Sequence, residues 1–452
     1  MLSVLRDRTY RHLFTAQVVA LTGTGLATVA LSLLAYDLAK ADASAVLGTA
    51  LAIKMIAFVA IAPLAGALAG RIPRRTLMVA MDLTRGAAAL ALPFVTQVWQ
   101  IYVLIFVLQA ASAAFTPTFQ ATIPEVLPAE RDYTRALSLS RLAYDLESLF
   151  SPALAAGLLT LVSSGWLFAG TAIGFLASAA LVVSAVLPKP APVERSGGVY
   201  AKAVFGIRLF RATPRLRALL ALDLAVAAAG AIVFVNTVVL VRDHFHRPAG
   251  ALSLALGAYG AGSMLAALAL PRLLRRTGDR AVMLPAAFTL PVILAAVAVL
   301  AAVAPSVWSW WAVLGAWALI GAACSAVLTP GGRVVRRSAS DPDLPAAFAA
   351  QFSLSHGCWL LTYPLAGWLA AGAGLPVTAA VLGAVALAAT LAATALWPAH
   401  DPTYLAHTHS DLPAGHPHLA GSRPSPAGPR HAHPYVIDQH HPAWPRLSPT
   451  AR

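Results

Sequence analysis

The sequence predicts an all-α membrane protein: twelve transmembrane helices in two six-helix halves, followed by a disordered C-terminal tail. Three observations carry that expectation. Of 452 residues, 59% are hydrophobic and only 11% charged, where an ordinary soluble domain carries about 25% charged residues. Twelve apolar runs are long enough to span a bilayer, which takes about 20 residues. They lie near 12–37, 45–69, 76–95, 98–121, 134–160, 164–187, 216–241, 249–271, 281–303, 307–329, 347–371 and 374–397. Beyond Pro398 the chain turns polar and Pro-rich, without helical period. A soluble core cannot hide so much apolar surface, so a soluble enzyme, a disordered chain and a fibrous protein are all excluded.

The first run, about 25 residues, is too long for a signal-peptide core and reads as the first spanning helix. Six helices fill 1–187. Pro188, Pro190 and Pro192 stop the sixth, and 188–215 is a linker in which Val199–Arg211 mixes apolar and basic residues like a surface helix. Six more helices fill 216–398, and the tail is 399–452. Cys324 and Cys358 both lie in apolar runs, so no disulfide framework exists.

Net charge is +14, yet the basic residues punctuate apolar runs and do not form a nucleic-acid surface. With a cytoplasmic N-terminus, inside segments hold 26 Lys and Arg and outside loops hold three (Lys40, Arg242 and Arg247). The positive-inside rule then puts both termini in the cytoplasm, in a plasma (inner) membrane protein.

The loop after the second run reads Gly66-Ala-Leu-Ala-Gly70-Arg71-Ile-Pro73-Arg74-Arg75. It resembles the gating signature of the major facilitator superfamily, and the six-plus-six layout with a basic central loop resembles that superfamily too. Gly66, Arg71, Arg74 and Arg75 match the signature. Gly70 stands where the superfamily has its latch Asp, and Pro73 where it has a second Gly. Segment Arg272–Arg280 is a weaker echo in the second half. The resemblance covers 1–398. It implies a central cavity lined by helices 1, 4, 7 and 10. Gln17, Gln109 and Asn236 belong to polar positions on helices 1, 4 and 7 that fit such a cavity. Asp82 and Arg85 are expected to brace the gate loop.

Nine of the thirteen histidines fall in the tail. Those expected to bind metal are His407, His409, His416, His418, His431, His433, His440 and His441. Imidazole suits Ni, Cu, Zn and Co, and His-x-His in a flexible chain can bring two rings to one ion. Compositional drift is the bland alternative. With unperturbed pKa values near 6.5, the rings would be mostly protonated, and metal-free, by pH 5. The segments Tyr404–Leu419 and His431–Asp438, with Leu137–Ser148 and Gln351–Trp359, resemble NreB-type nickel-resistance exporters. That resemblance implies export of Ni²⁺ or Co²⁺ as cargo, with no cofactor.

No Gly-Lys-Ser/Thr phosphate loop is present, so transport runs on a gradient, by default proton antiport. Ionisable residues inside apolar runs are functional candidates. Arg141 and Asp145 sit at i,i+4 as an expected ion pair. Glu147 lies about 160° away around the helix, has no local basic partner, and is the expected proton carrier. His356 and Cys358 are candidate metal ligands in the transport path, but about 200° apart they cannot chelate one ion together. Gln351, Ser355, Cys358 and Thr362 form a polar stripe expected to face the cavity. The chain is thus expected to be a monomeric, non-enzymatic exporter whose partners are the lipid bilayer, a divalent ion and protons. The alternative is a multidrug or siderophore exporter of the same superfamily.

Overall fold

The computed structural model describes residues 2–39, 43–68, 72–159, 161–187, 199–247, 250–399, 401, 404–409, 412, 416–426, 428–438, 440–441 and 443–445. In chain order the helices are α1 (Arg8–Ala39), α2 (Ala43–Leu68), α3 (Arg74–Ala91), α4 (Val98–Val126), α5 (Glu130–Leu159), α6 (Ser164–Ser184), α7 (Val199–Ala212), α8 (Pro214–Val239), α9 (Gly250–Leu273), α10 (Asp279–Ala302), α11 (Val307–Arg336) and α12 (Leu344–Leu396). Each expected run finds a helix, with two differences. The linker helix α7 is one of the twelve, and the last two runs form one long element, α12.

That element is two legs. Gly374 has φ 82° and ψ 168°, a region open essentially to Gly alone, and Pro376 follows two residues later. The apolar pattern runs almost unbroken through this point, so only the glycine and the proline mark the break. Among the described residues nine helices are long and apolar enough to cross a membrane: α1, α3, α4, α6 and α8–α12.

The helices pack as two groups. In the first, α1 lies on α5 and α6, α2 on α4, and α3 on α4 and α6. In the second, α8 lies on α11 and α12, α9 on α11, and α10 on α11 and α12. The α9–α11 crossing is backbone-close. A Cβ on Gly262 would strike the Ala318 carbonyl, and one on Gly321 the Tyr259 carbonyl. Small residues permit this approach between helices that gain no hydrophobic driving force from lipid. The groups meet through α5 on α9 and α2 on α12, and α7 rests on α2, α8 and α12. Leu209 and Phe210 of α7 are buried, so this helix is docked on the bundle.

The tail departs from expectation. Among its described residues it carries a two-stranded ribbon, so the molecule is not purely helical. Strand β1 (Tyr404–Thr408) pairs antiparallel with β2 (Arg430–Pro434), His407 opposite His431 and Leu405 opposite His433. Leu405, Tyr435 and Ile437 join the apolar core of the second half. The low apolar content of the tail hid this, because a short ribbon docked on an existing core needs only a few buried side chains.

Candidate functional site

Strand period explains the histidine spacing. Side chains at i and i+2 of a strand share a face, so His431 and His433 in β2, and His407 and His409 at the end of β1, put their rings on one side of the ribbon, while His416 and His418 come from a short 3-10 turn. Ligand atoms of His407, His418, His431, His433 and His441 all lie within 4.8 Å of one another. His407 Nε2 is 3.1 Å from His409 Nε2, 3.0 Å from His431 Nε2 and 2.9 Å from His441 Nε2. His418 Nε2 is 3.2 Å from His409 Nε2.

The outer nitrogens are held elsewhere. His407 Nδ1 lies 3.0 Å from the Leu405 carbonyl, and His433 Nδ1 lies 2.9 Å from the Pro434 carbonyl. A carbonyl accepts only from N–H, so these rings carry the proton on Nδ1 and turn a bare Nε2 lone pair inward. His441 Nδ1 is 2.9 Å from Asp438 Oδ1, the carboxylate–histidine arrangement that orients metal ligands. The Nε2 of His433 is buried without a hydrogen-bond partner. Bonds of about 2.1 Å set two ligands ~3.0 Å apart at right angles and ~3.4 Å apart in a tetrahedron. The observed separations match a crowded, right-angled sphere better than a tetrahedral one. His416 and His440 sit at the rim, their ring centroids 5.1 Å apart.

Electrostatics keep three of the rings neutral. Burial, reinforced by neighbouring imidazoles, pushes His407 and His418 down to about 4 and lowers His431. Burial alone would raise the Asp438 carboxyl, but His441 holds it down, to about 2. Protonation by pH 5, expected from unperturbed values, is therefore corrected for His407 and His418.

The tail is anchored. Asp401 accepts from Arg215 at 3.1 Å and from Arg337 at 3.2 Å. The Trp444 ring lies 5.0 Å from the Arg215 guanidinium, and Tyr435 links Trp444 to His407 by ring contacts. Arg337 also reaches Asp279, 3.5 Å away, and Asp279 forms an ion pair with Arg333 at 2.8 Å. Arg333 in turn contacts Glu130 and Thr134 of α5, each at 2.5 Å. Arg336 donates to the Pro128 carbonyl at 2.9 Å. These contacts close the arginine-rich end of the molecule between the two halves. Sequence reasoning missed Glu130, Asp279, Arg333, Arg337 and Asp401 as a network. The run of Arg333, Arg336 and Arg337 at the end of α11 was its only signal.

The expected gate and path residues divide. Arg74 pairs with Glu125 of α4, and Arg75 donates to the Ala185 carbonyl. Arg71 lies outside the described residues, and so do the surroundings of Gly66. Asp82 pairs with Arg85 and accepts from Ser178 at 2.8 Å. Arg85 is stacked over Phe115 and Phe175, 4.3 and 4.5 Å from the ring centroids. With Gln17, Thr24, Thr116 and Tyr144 it lines a cavity in the first half. Gln17 accepts from Ser140 at 3.0 Å, and Gln109 is half-buried on α4. Asn236 donates to the Ala366 carbonyl at 3.3 Å beside a small cavity with Trp317.

On α5, Arg141 donates to Ser263 of α9 at 2.9 Å, tying the halves. The Asp145 side chain lies outside the described residues. Glu147 has a basic partner after all: it interacts electrostatically with Lys54 of α2. That pairing is tertiary, so a helical wheel could not show it. On α12, His356 is wedged between Phe58 and Phe352, with Nδ1 2.7 Å from the Phe352 carbonyl. Cys358 and Thr362 are buried, and Gln351 donates to Asp223 of α8 at 2.7 Å. Gln351, at one end of the polar stripe, thus meets α8 through Asp223. The two faces of α12 keep His356 and Cys358 apart, as the helical angle requires.

Two six-helix groups that meet along α5–α9 and α2–α12 and are tied at one end by ion pairs have the architecture of a membrane transporter, not of an enzyme. The chain belongs to the Major Facilitator Superfamily, whose family model matches residues 13–312 and 224–431. The uncharacterized transporter YfiS of Bacillus subtilis (strain 168) is 25% identical over 215 residues, 46% of this chain and 51% of that one. The match thus spans about half of that relative. Among solved structures, the human organic anion transporter MFSD10 (TETRAN) is similar with a TM-score of 0.70 at 15% identity, covering 85% of this chain and 99% of the other. A bacterial homologue of the iron transporter ferroportin, in an outward-facing state, is similar with a TM-score of 0.70 at 15% identity, covering 86% and 99%.

Proposed function

We propose that this chain is a proton-coupled exporter of a divalent metal ion, Ni²⁺ or Co²⁺, in the plasma membrane. The convergence of inward-turned Nε2 atoms carries this reading. Such a nest of neutral imidazoles is a poor arrangement for protein stability alone, since bare lone pairs repel. It is a good arrangement for an ion of the first transition row. The nine long apolar helices, with α2, α5 and the second leg of α12, make twelve passes. The basic loops put both termini, and hence the imidazole cluster, in the cytoplasm. There the cluster collects the ion near the closed inner mouth. Glu147, opposite Lys54, is the proton carrier. The ferroportin-like fold is consistent with metal cargo but does not decide it.

The second reading, export of an organic compound, draws on the aromatic lining of the first-half cavity by Phe115, Phe119 and Tyr144. A metal-challenge panel in a host stripped of its own exporters separates the two. Resistance to Ni²⁺ or Co²⁺ that weakens with His407→Ala, His431→Ala and His441→Ala combined supports the metal reading. Resistance to dyes or drugs alone, unaffected by those changes, supports the other.

A further inference from the structure

At the arginine-rich end a cavity of about 550 Å³ is lined by Arg135, Leu268, Pro271, Arg272 and Arg275. It is within the size range of small-ligand pockets, roughly 300–1,000 Å³. Arg135 comes from α5 of the first half. Leu268, Pro271 and Arg272 come from the last turns of α9 in the second half, and Arg275 follows that helix directly. Arg135 is partly committed, to Asp132 at 2.9 Å and to Ser3 at 3.0 Å. Arg272 and Arg275 are exposed, and among the described residues neither has a carboxylate within ion-pair distance. The walls bring three guanidinium groups and no acid to one hollow.

We infer that this hollow binds the headgroup of an anionic phospholipid from the adjacent leaflet. Three features select that occupant. Guanidinium groups grip phosphate oxygens through paired, charge-assisted hydrogen bonds. Basic pockets at the ends of spanning helices lie at headgroup depth. The hollow also opens onto apolar surface: Leu265, Leu268 and Leu273 of α9 are 68%, 44% and 45% exposed. Leu265 and Leu268, one helical turn apart, give an acyl chain a track leading away from the arginines. A free phosphate would gain nothing from that track. With one arginine from α5 and two from α9, a bound headgroup joins the two halves at the end already closed by Arg333 and Glu130. The site is independent of the cargo.

Native mass spectrometry of the full chain, purified and exposed to phosphatidylglycerol, cardiolipin or phosphatidylcholine, tests this. The wild type should retain one anionic lipid and not phosphatidylcholine. Arg272→Gln with Arg275→Gln should weaken retention about thirty-fold, and Arg275→Gln alone about five-fold. Arg276→Gln, an exposed neighbour off the cavity wall, should leave retention unchanged. An equal loss in Arg276→Gln would reduce the effect to bulk charge and overturn the assignment. Equal retention in wild type and double variant would also overturn it, as would displacement of the lipid by millimolar inorganic phosphate.

Discussion

Arg333 on α11 meets Glu130 at the start of α5, nitrogen to oxygen 2.5 Å apart, and this pair joins the two halves of the transporter at one end. The two partners are unequal. The Glu130 side chain is 66% exposed, whereas Asp279, the other acid on Arg333, is 1% exposed. An exposed pair is worth about 0.2–1 kcal/mol, but stranding a buried charge costs about 3–5 kcal/mol. Glu130→Gln should therefore loosen the closed end modestly. Arg333→Ala should open it or lower protein yield. Distance measurements between spin labels on α5 and α11 check this: a shift toward longer separations is expected in both variants, larger in the second.

Asp401 ties the tail to Arg215 and Arg337, and Arg337 shares Asp279 with Arg333. Asp401→Asn should leave Arg215 short of a counter-charge and release the ribbon from the bundle. Hydrogen exchange at 404–408 and 430–434 should quicken, while a metal ion should still protect those amides through the imidazole cluster. No change in exchange would show that the apolar contacts of Leu405, Tyr435 and Ile437 hold the tail by themselves.

The ribbon should lose stability in acid. His407 and His418 titrate at about 4 when folded and near 6.5 otherwise, so the unfolded tail binds protons first as pH falls. The stabilisation is complete above pH 6.5 and disappears as pH drops from 6.5 toward 4. Amide exchange across the ribbon, followed without metal, should show that window. Loss of protection only above pH 7 would contradict the sign.

Gly374 should not tolerate a side chain. At φ 82° an alanine is strained by about 1–3 kcal/mol, and no crowding excuses it, since the nearest atom to a new Cβ is Pro376 Cδ at 3.7 Å. Thermal unfolding in detergent should fall by a few degrees in Gly374→Ala.

The helices were legible because lipid demands long apolar runs, and those runs end at prolines and arginines that the eye can find. The α12 break was legible as well, since the runs 347–371 and 374–397 part beside Gly374, although Leu375 and Val377 continue the apolar pattern past it. The histidines were legible as candidate ligands, but their geometry was not. His-x-His by itself reads equally as a flexible chelate, while the alternation Leu405, His407, His409 spells one face of a strand. Long-range pairs escaped altogether: Lys54 with Glu147, Asp223 with Gln351, and Arg333 with Glu130 join residues far apart in the chain, and no local period reports them.

The most direct test of the central claim is Ni²⁺ uptake into inside-out membrane vesicles under an imposed proton gradient, acid inside. The account predicts gradient-dependent uptake that an uncoupler collapses and that Glu147→Gln abolishes in a well-inserted protein. Absence of Ni²⁺ and Co²⁺ flux in vesicles whose gradient does drive an organic cation through the same protein would contradict it.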